Sequence, residues 1–383
     1  MSILDCYGQD RAIIQLQRAR QARRVPHSYI FHGPEGVGKG LLARQWAKLL
    51  LCSQPVRDTL AGGGADCGPG GSQSYSGYEI DNCCDSCQDC HLAEAGTHPD
   101  MHRISRRLSR HTKAGRTSQL IALPIDVVRE YVIEPAGVFP SRGRARVFII
   151  EEAHAMSRSA QNSLLKTLEE PPENTFLLLI TSKPDMLLPT THSRCQAIRF
   201  STLPGSFIRE KLKQANIEGN QSDYWSDFCD GRLGEALTLA KMNLYGMKCD
   251  LIRMLAELNY GSVLLMAKWM IEQAKEFGRN FSKENEESES SAVRRGQLCL
   301  LHMIIHAFRQ ALRMSVQTDT PKTDIPDQGE ILRKIAEQYG PVGSGKAIRA
   351  TYQAENKVHA NVNGSLIFES LLLNYIDYAR KRK

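Results

Sequence analysis

Long apolar runs are missing from this chain. None of its 383 residues falls in a stretch approaching the roughly 20 consecutive apolar residues that span a bilayer, so no membrane-spanning helix is expected, and no membrane partner is anticipated. Met1 to Asp10 has no apolar run either, so no signal peptide is expected and a cytoplasmic location is the default. A large excess of one charge is also lacking: 49 basic against 42 acidic side chains give +7, with a pI near 8.8. That balance is compatible with work near nucleic acid without demonstrating it. Arg18, Arg20, Arg23 and Arg24 form one cluster, and Arg103, Arg106, Arg107, Arg110, Lys113 and Arg116 another. Each reads equally well as a solvated face. A hydrophobic content of 42% supplies a sizeable core without a covalent staple, and the length allows two or three domains.

Cysteine, by contrast, is plentiful. There are eleven, and five lie between Cys67 and Cys90. In a reducing compartment such crowding points to a metal rather than to disulfides. Cys84-x₂-Cys87-x₂-Cys90 has spacers that wrap one ion, and tetrahedral thiolate ligation suits Zn²⁺. The fourth ligand stays open among Cys52, Cys67 and Cys83. His91 and His98 read as surface or capping residues. Cys6, Cys229, Cys249 and Cys299 have no partner at motif spacing and read as small core residues. No basic and aromatic reading surface flanks the cysteines, which weakens a zinc-dependent DNA-binding reading.

Gly33-Pro34-Glu35-Gly36-Val37-Gly38-Lys39-Gly40 fits the phosphate-binding loop G-x-x-x-x-G-K-[ST] at every position but the last. Ser28 to His32 reads as a short apolar strand before it. Leu41, Leu42, Trp46, Leu49 and Leu50 recur at helical spacing after it. In that context the loop's N–H groups can cradle phosphates, with Lys39 reaching the outer ones. The missing part is the hydroxyl for Mg²⁺, because Gly40 has no side chain.

Further signals follow the loop. Asp10 to Arg24 reads as an amphipathic helix. Ser53 to Asp81, with Gly62-Gly63-Gly64 and Gly68-Pro69-Gly70-Gly71, reads as a flexible insertion with little capacity to pack. Arg103 to Gln119 reads as a polar loop or hairpin, and Leu123 to Tyr131 as a helix. Arg146 to Ile150 is a buried strand ending in Glu151-Glu152, and it is expected beside the P-loop strand, where its carboxylates could serve Mg²⁺ and water. Ser157 caps a helix to Glu170 that Pro171-Pro172 stops. Phe176 to Thr181 is another apolar strand, so strands and helices alternate as in a covered parallel sheet. Beyond Leu203 the pattern is helical; the acidic run Lys283 to Ser291 reads as a loop, and Cys299 to Met314 and Ser365 to Arg380 as helices.

Together, Gly33–Lys39, Glu151-Glu152-Ala153-His154, Leu164-Leu165-Lys166-Thr167-Leu168-Glu169-Glu170-Pro171-Pro172 and Ser193-Arg194-Cys195 resemble the bacterial clamp-loader AAA+ family of DNA polymerase III. The resemblance covers Gly8 to about Leu239, and more loosely the helical remainder through Asn361-Val362-Asn363-Gly364-Ser365-Leu366. It implies an α/β fold followed by an all-α region. The AAA+ P-loop domain spans 1–202 with a zinc module and flexible insertion within 52–90, a helical lid spans 203–243, and a helical collar spans 244–383. Cys52, Cys84, Cys87 and Cys90 match the family's four-cysteine module, although the gap between Cys52 and Cys84 is longer than usual. Arg194 matches an arginine finger offered in trans, Thr181 or Ser182 matches sensor 1, and Gly33, Gly36, Gly38, Lys39, Glu151, Glu152 and Thr181 form a degenerate nucleotide site.

The family holds a hydrolysing motor, the gamma/tau type, and a related stator, the delta prime type. Gly40 replaces the hydroxyl residue, Gly234 stands where the motor has its sensor-2 arginine, and Glu151 replaces an Asp. Arg232, two residues early, falls on a different face of a helix. Ala95 to Asp100 also resembles the stator. The resemblance therefore implies a subunit with structural Zn²⁺ and no turnover of its own, with ATP and Mg²⁺ binding left open. Its partners would be gamma/tau and delta subunits, the sliding clamp indirectly, and primer–template DNA through the complex, in a nucleoid-associated replisome. The competing reading is a gamma/tau-type ATPase.

Overall fold

The computed structural model describes residues 2–60, 77–111, 122–142, 144–285, 288–316 and 328–380. The described chain falls into two compact units, Met1–Pro204 with Gly231–Glu235, and Gly205–Asp230 with Ala236–Lys383.

The first unit runs α1 (Asp10–Gln21), β1 (Ser28–His32), α2 (Lys39–Leu51), β2 (Val56–Thr59), β3 (Glu79–Asn82), α3 (Gln88–Glu94), β4 (Met101–Ile104), α4 (Ile125–Val128) and α5 (Glu134–Ala136). It continues through β5 (Arg146–Ile150), α6 (Arg158–Glu169), β6 (Thr175–Thr181), α7 (Pro189–His192) and β7 (Gln196–Arg199). The main sheet has the order β4-β5-β6-β1-β7, and every pairing in it is parallel.

The interiors of its inner strands are apolar on successive residues because both faces are covered. Tyr29 and Phe31 of β1, Val147 and Ile149 of β5 and Leu178 of β6 pack with Ile13, Leu16, Leu42 and Trp46 of α1 and α2. Ile30, Phe148, Ile150, Leu177 and Leu179 point the other way, onto Val127, Val128, Leu164 and Leu168. That alternation is the two-residue period of a strand written in uniformly apolar residues. The helix after Ser157 forms as anticipated, with the Ser157 Oγ accepting from the Ala160 amide at 3.1 Å.

Three expectations need correction. The carboxylate strand β5 does not adjoin β1; β6 pairs with both and lies between them. Arg103 and Ile104, read as loop, belong to β4 at the sheet edge. The ends of the insertion do pack: β2 and β3 form an antiparallel pair, Leu60 and Ile80 are buried, and the Gln17 side chain donates to the Asp81 carbonyl and accepts from its amide at 2.8 and 2.9 Å. The glycine runs Gly62–Gly64 and Gly68–Gly71, and Cys67, lie outside the described residues.

The second unit is helical: α8 (Gly205–Gln214), α9 (Asn220–Phe228), most of α10 (Leu233–Lys241), α11 (Tyr245–Ala256), α12 (Val263–Asn285), α13 (Glu289–Val316), α14 (Gly329–His359) and α15 (Gly364–Arg380). The run 283–291 is shared between the end of α12 and the start of α13. Inside α14, Gly340 takes φ 59° ahead of Pro341, a kink that the missing proline N–H explains. Buried Lys248 is held by Gln328 at 3.1 Å, over the rings of Tyr245 and Tyr224.

Candidate functional site

The glycine loop leaves β1 and enters α2. Gly33, Gly36 and Gly38 have φ of 147°, 75° and 98°, a left-handed region where other residues are strained. A Cβ on Gly33 would also stand 2.4 Å from the Phe200 carbonyl oxygen. The Gln9 amide clamps the loop's surroundings, donating to Val37 O and Ser201 O at 3.2 and 2.8 Å. Lys39 is buried, and its Nζ donates to Gly33 O at 2.7 Å and to Pro34 O. Burial pulls its pKa down to about 8, partly opposed by Glu35.

Gly40 differs from the other loop glycines. A Cβ there would meet nothing within 4 Å, so no steric reason accounts for the missing side chain. Gly234 is the opposite case. Its N–H donates to Gly36 O at 2.9 Å, and a Cβ on it would lie 3.3 Å from Gly36 Cα and O. Residues 231–235 thus rest on the phosphate loop through a glycine–glycine approach. Arg232 precedes α10, lies against Gly36, and pairs with Glu235.

Beyond β5, Glu151 and Glu152 stand where Mg²⁺ chemistry is expected, but both are engaged. Arg103 Nη2 meets Glu151 Oε1 at 2.7 Å. Arg106 grips both Glu152 oxygens, at 2.7 Å through Nε and 2.6 Å through Nη2. Glu152 has φ 50°, in the left-handed region. Thr181, in register with His32 of β1, is buried and shares its Oγ1 with His154 Nδ1 at 3.2 Å and with the Lys183 amide at 3.0 Å. Ser182 Oγ donates to Glu35 Oε1 at 3.2 Å, tying the strand end to the glycine loop. Burial keeps His154 below its ordinary pKa, although Glu152 and Glu35 both raise it. The expected nucleotide residues therefore lie at the C-terminal ends of three neighbouring strands, β5, β6 and β1, and Lys39, Glu151, Glu152 and Thr181 each have a partner within the chain. These residues do not fit Mg²⁺–ATP as a hydrolytic site does.

Arg194 follows α7 and precedes β7. Its side chain, about one-third exposed, pairs with Glu169 of α6 at 2.5 Å and donates to Thr190 O at 2.9 Å. The two sequence segments most specific to the resemblance are thus in contact. Cys195 beside it packs against the second core face, and burial pushes its thiol up to about 12.

The cysteine group converges. Cys52 terminates α2, Cys84 follows β3, Cys87 caps α3 and Cys90 lies within it. All four sulfurs lie within 4.8 Å of one another. The sulfurs stand 3.6 Å apart for Cys52–Cys84, and 4.0 Å apart for Cys52–Cys87 and Cys84–Cys90. A tetrahedral ion with Zn–S bonds of ~2.3 Å requires sulfurs about 3.8 Å apart. Amides of Cys84, Cys87 and Cys90 point at sulfurs at 3.5, 3.3 and 3.4 Å, favouring thiolates. The four thiols differ: burial holds Cys52 and Cys90 above the ordinary thiol pKa, and hydrogen bonding from Ser86 lowers Cys84. At Cys87 burial is outweighed by hydrogen bonds with Ser53 and the Cys90 amide, which bring the thiol down to about 5. The donor set fits one metal ion. Cys83 is outside the four-thiol set and donates to Asp85 Oδ1 at 3.3 Å. His98 accepts from the Asp100 amide at 3.1 Å, a local structural role.

Sequence reasoning missed the residues that brace this module. Lys48 reaches from α2 to Asp85 and Glu94 at 2.6 and 2.7 Å. Arg144 donates to Cys52 O at 3.0 Å, and Arg142 pairs with Asp89. Fully buried Asp100 accepts from the Ser141 and Arg142 amides and pairs with Arg146 at 2.9 Å, so burial is overcome and its pKa is lowered. Apart from Asp100, which closes the Ala95–Asp100 run, none of these has a signature beyond its charge.

A parallel sheet with a glycine loop after β1, carboxylates after β5 and a hydroxyl residue ending β6 defines an AAA+ P-loop protein. A family model described as DNA polymerase III, delta subunit, matches residues 8–70 and 72–204. The chain belongs to that family. It is 25% identical over 370 residues to a Bacillus subtilis protein named DNA polymerase III subunit delta', covering 95% of each chain. A Pseudomonas aeruginosa protein of the same name is 36% identical over 44% of this chain and 41% of its own length. Escherichia coli DNA polymerase III subunit tau is 32% identical over 55% of this chain and 27% of its own. A Thermotoga maritima gamma-subunit-related structure aligns at TM-score 0.44 and 16% identity, covering 96% of this chain and all of that one. Among the described residues no helix is long and apolar enough to cross a membrane.

Proposed function

We propose that the protein is a delta prime-type subunit of the polymerase III clamp loader. It acts as a non-hydrolysing stator that helps load the sliding clamp onto primed DNA. Gly234 carries this reading. Where a motor subunit places an arginine over the nucleotide, this chain uses the absence of a side chain to seat residues 231–235 on Gly36. Gly40 removes a second contact independently. The names of the Bacillus and Pseudomonas relatives support the same assignment.

Chemistry then passes to a neighbour. Arg194, a planar and permanently charged fork, suits spreading charge over the γ-phosphate oxygens of a motor subunit's ATP. Its pairing with Glu169 is half exposed, and such pairs contribute at most about 1 kcal/mol, so releasing the guanidinium costs little. The metal is structural Zn²⁺ on Cys52, Cys84, Cys87 and Cys90, and the ion fastens α2 to α3 through its thiolates. Gamma/tau and delta subunits are the direct partners, the sliding clamp and primer–template DNA are met through the complex, and the compartment is the cytoplasm. The three-part division, with a lid over 203–243 between the 1–202 domain and the 244–383 collar, belongs to the same proposal.

Retention of Lys39 and the match to tau favour the competing motor reading. The test is Arg194→Ala in a complex reconstituted from this chain and its organism's other loader subunits. DNA-stimulated ATPase should fall about tenfold or more, with complex assembly intact by gel filtration. Unchanged turnover removes the finger assignment.

A further inference from the structure

We propose that Arg103 and Arg106 stand in for the divalent cation at the end of β5, so that the glycine loop of this chain holds nucleotide phosphates without Mg²⁺ or not at all. This rests on the stator reading and deepens it, by assigning the loss of metal chemistry to two further residues.

The placement comes from the sheet. β4 pairs with β5 so that Arg103 lies opposite Ile149 and Ile104 opposite Ile150. The Glu151 amide continues that ladder, donating to Ile104 O at 2.8 Å. Residues just past β4 are therefore held beside residues just past β5. Arg103 reaches Glu151 from the strand itself. Arg106 opens the turn Arg106–His111, in which Ser109 Oγ donates to Arg106 O at 2.7 Å, and its guanidinium forks across Glu152. Both oxygens of Glu152 are consumed in the bidentate geometry that arginine favours with a carboxylate.

Mg²⁺ needs near-ideal octahedral oxygen ligands, commonly one or two carboxylates with waters and phosphates. Here two carboxylates face two guanidinium groups, so the local charge is balanced before any ion arrives. An approaching divalent cation competes with two guanidinium groups for these carboxylates; Arg103 is half exposed and held through one carboxylate oxygen, whereas Arg106 grips both oxygens of Glu152. Gly40 withholds the hydroxyl from the other side. His154, between this pair and Thr181, is disfavoured as a cation by burial and offers no compensating negative charge. Lys39 remains as a cation for an anionic ligand, which is why phosphate without metal is the class of ligand the loop can hold.

The decisive experiment is titration of the full-length, metal-loaded chain with a fluorescent ATP analogue, with and without millimolar Mg²⁺ and with no chelator present. Wild type should show no binding, or an affinity that Mg²⁺ changes by less than about twofold. Arg103→Ala/Arg106→Ala should make binding Mg²⁺-dependent, raising affinity in Mg²⁺ about tenfold or more over its absence. Arg106→Lys, which keeps the charge and loses the fork, should fall between. Circular dichroism and bound-metal content confirm folding of each variant. Mg²⁺-enhanced binding by wild type overturns the proposal, as does a double variant that stays blind to Mg²⁺. Hydrolysis by the isolated wild-type chain would instead sink the stator reading, which separates the two failures.

Discussion

Two sites in the same unit, built at opposite ends of α2, have met opposite fates. At the N-terminal end the phosphate loop keeps its backbone, yet its charged groups are spent on one another: Lys39 on its own loop carbonyls, Glu35 on Ser182, Glu151 on Arg103, Glu152 on Arg106. At the C-terminal end four thiols converge at the spacing a tetrahedral ion requires, with amides aimed at them. On the proposed stator reading, the motif persists as architecture while its ligand contacts are reassigned. A ligand site declares itself by donors that converge and find their best partner in something the chain does not supply.

The largest effect should come from breaking the converging site. Cys84→Ser or Cys52→Ser should abolish metal binding and destabilise the first unit by more than about 3 kcal/mol, read by metal analysis and urea unfolding. Cys83→Ser should leave the metal in place. Metal retained by Cys52→Ser, and lost by Cys83→Ser, would reassign the fourth ligand.

A middle-sized effect separates two glycines that look alike in the sequence. Gly234→Arg should press the glycine loop and cost about 1–3 kcal/mol, as overpacking does. Gly40→Thr enters open space and should change stability by less than about 1 kcal/mol. Equal effects in chemical unfolding would contradict the close approach at Gly36.

The smallest concerns Lys39, whose burial lowers its pKa from 10.5 to about 8. Between those values the unfolded chain binds more protons than the folded one, so stability rises with pH across that window. Lys39→Met should flatten that slope. Any anion the loop holds should weaken as pH rises through about 8, measurable with inorganic triphosphate.

Much of this was legible in the sequence, and what was not follows a physical pattern. β1, β5 and α6 declare themselves because each is a local pattern: a short apolar run beside a glycine loop or acidic pair, or a serine cap before an apolar stripe. β4 hides because it is an edge strand, where Ile104 alone is fully buried and His102 and Arg103 break the apolar run. With β4 unread, Arg103 and Arg106 passed as members of a basic cluster instead of partners for Glu151 and Glu152. Strand order is a non-local property, so nothing in Arg146–Ile150 revealed that β6 would separate it from β1. The contact between Gly36 and Gly234 spans most of the first unit's sequence, and a glycine's reason for being there is visible only once its neighbour is in place. Cys84, Cys87 and Cys90 needed the least structure, since their two-residue spacers already pointed to one site; the fourth cysteine, Cys52, was left open by spacing and joins them only in the fold.

The central claim, that this chain has kept the scaffold of a nucleotide motor and passed the chemistry to a neighbour, meets its most direct test in an ATPase assay. The purified chain is measured alone, and then with its organism's motor subunit. The account predicts no saturable turnover by the chain alone, and turnover in the mixture that Lys39→Ala in this chain leaves unchanged. Saturable hydrolysis by the isolated chain, abolished by Lys39→Ala, would contradict it.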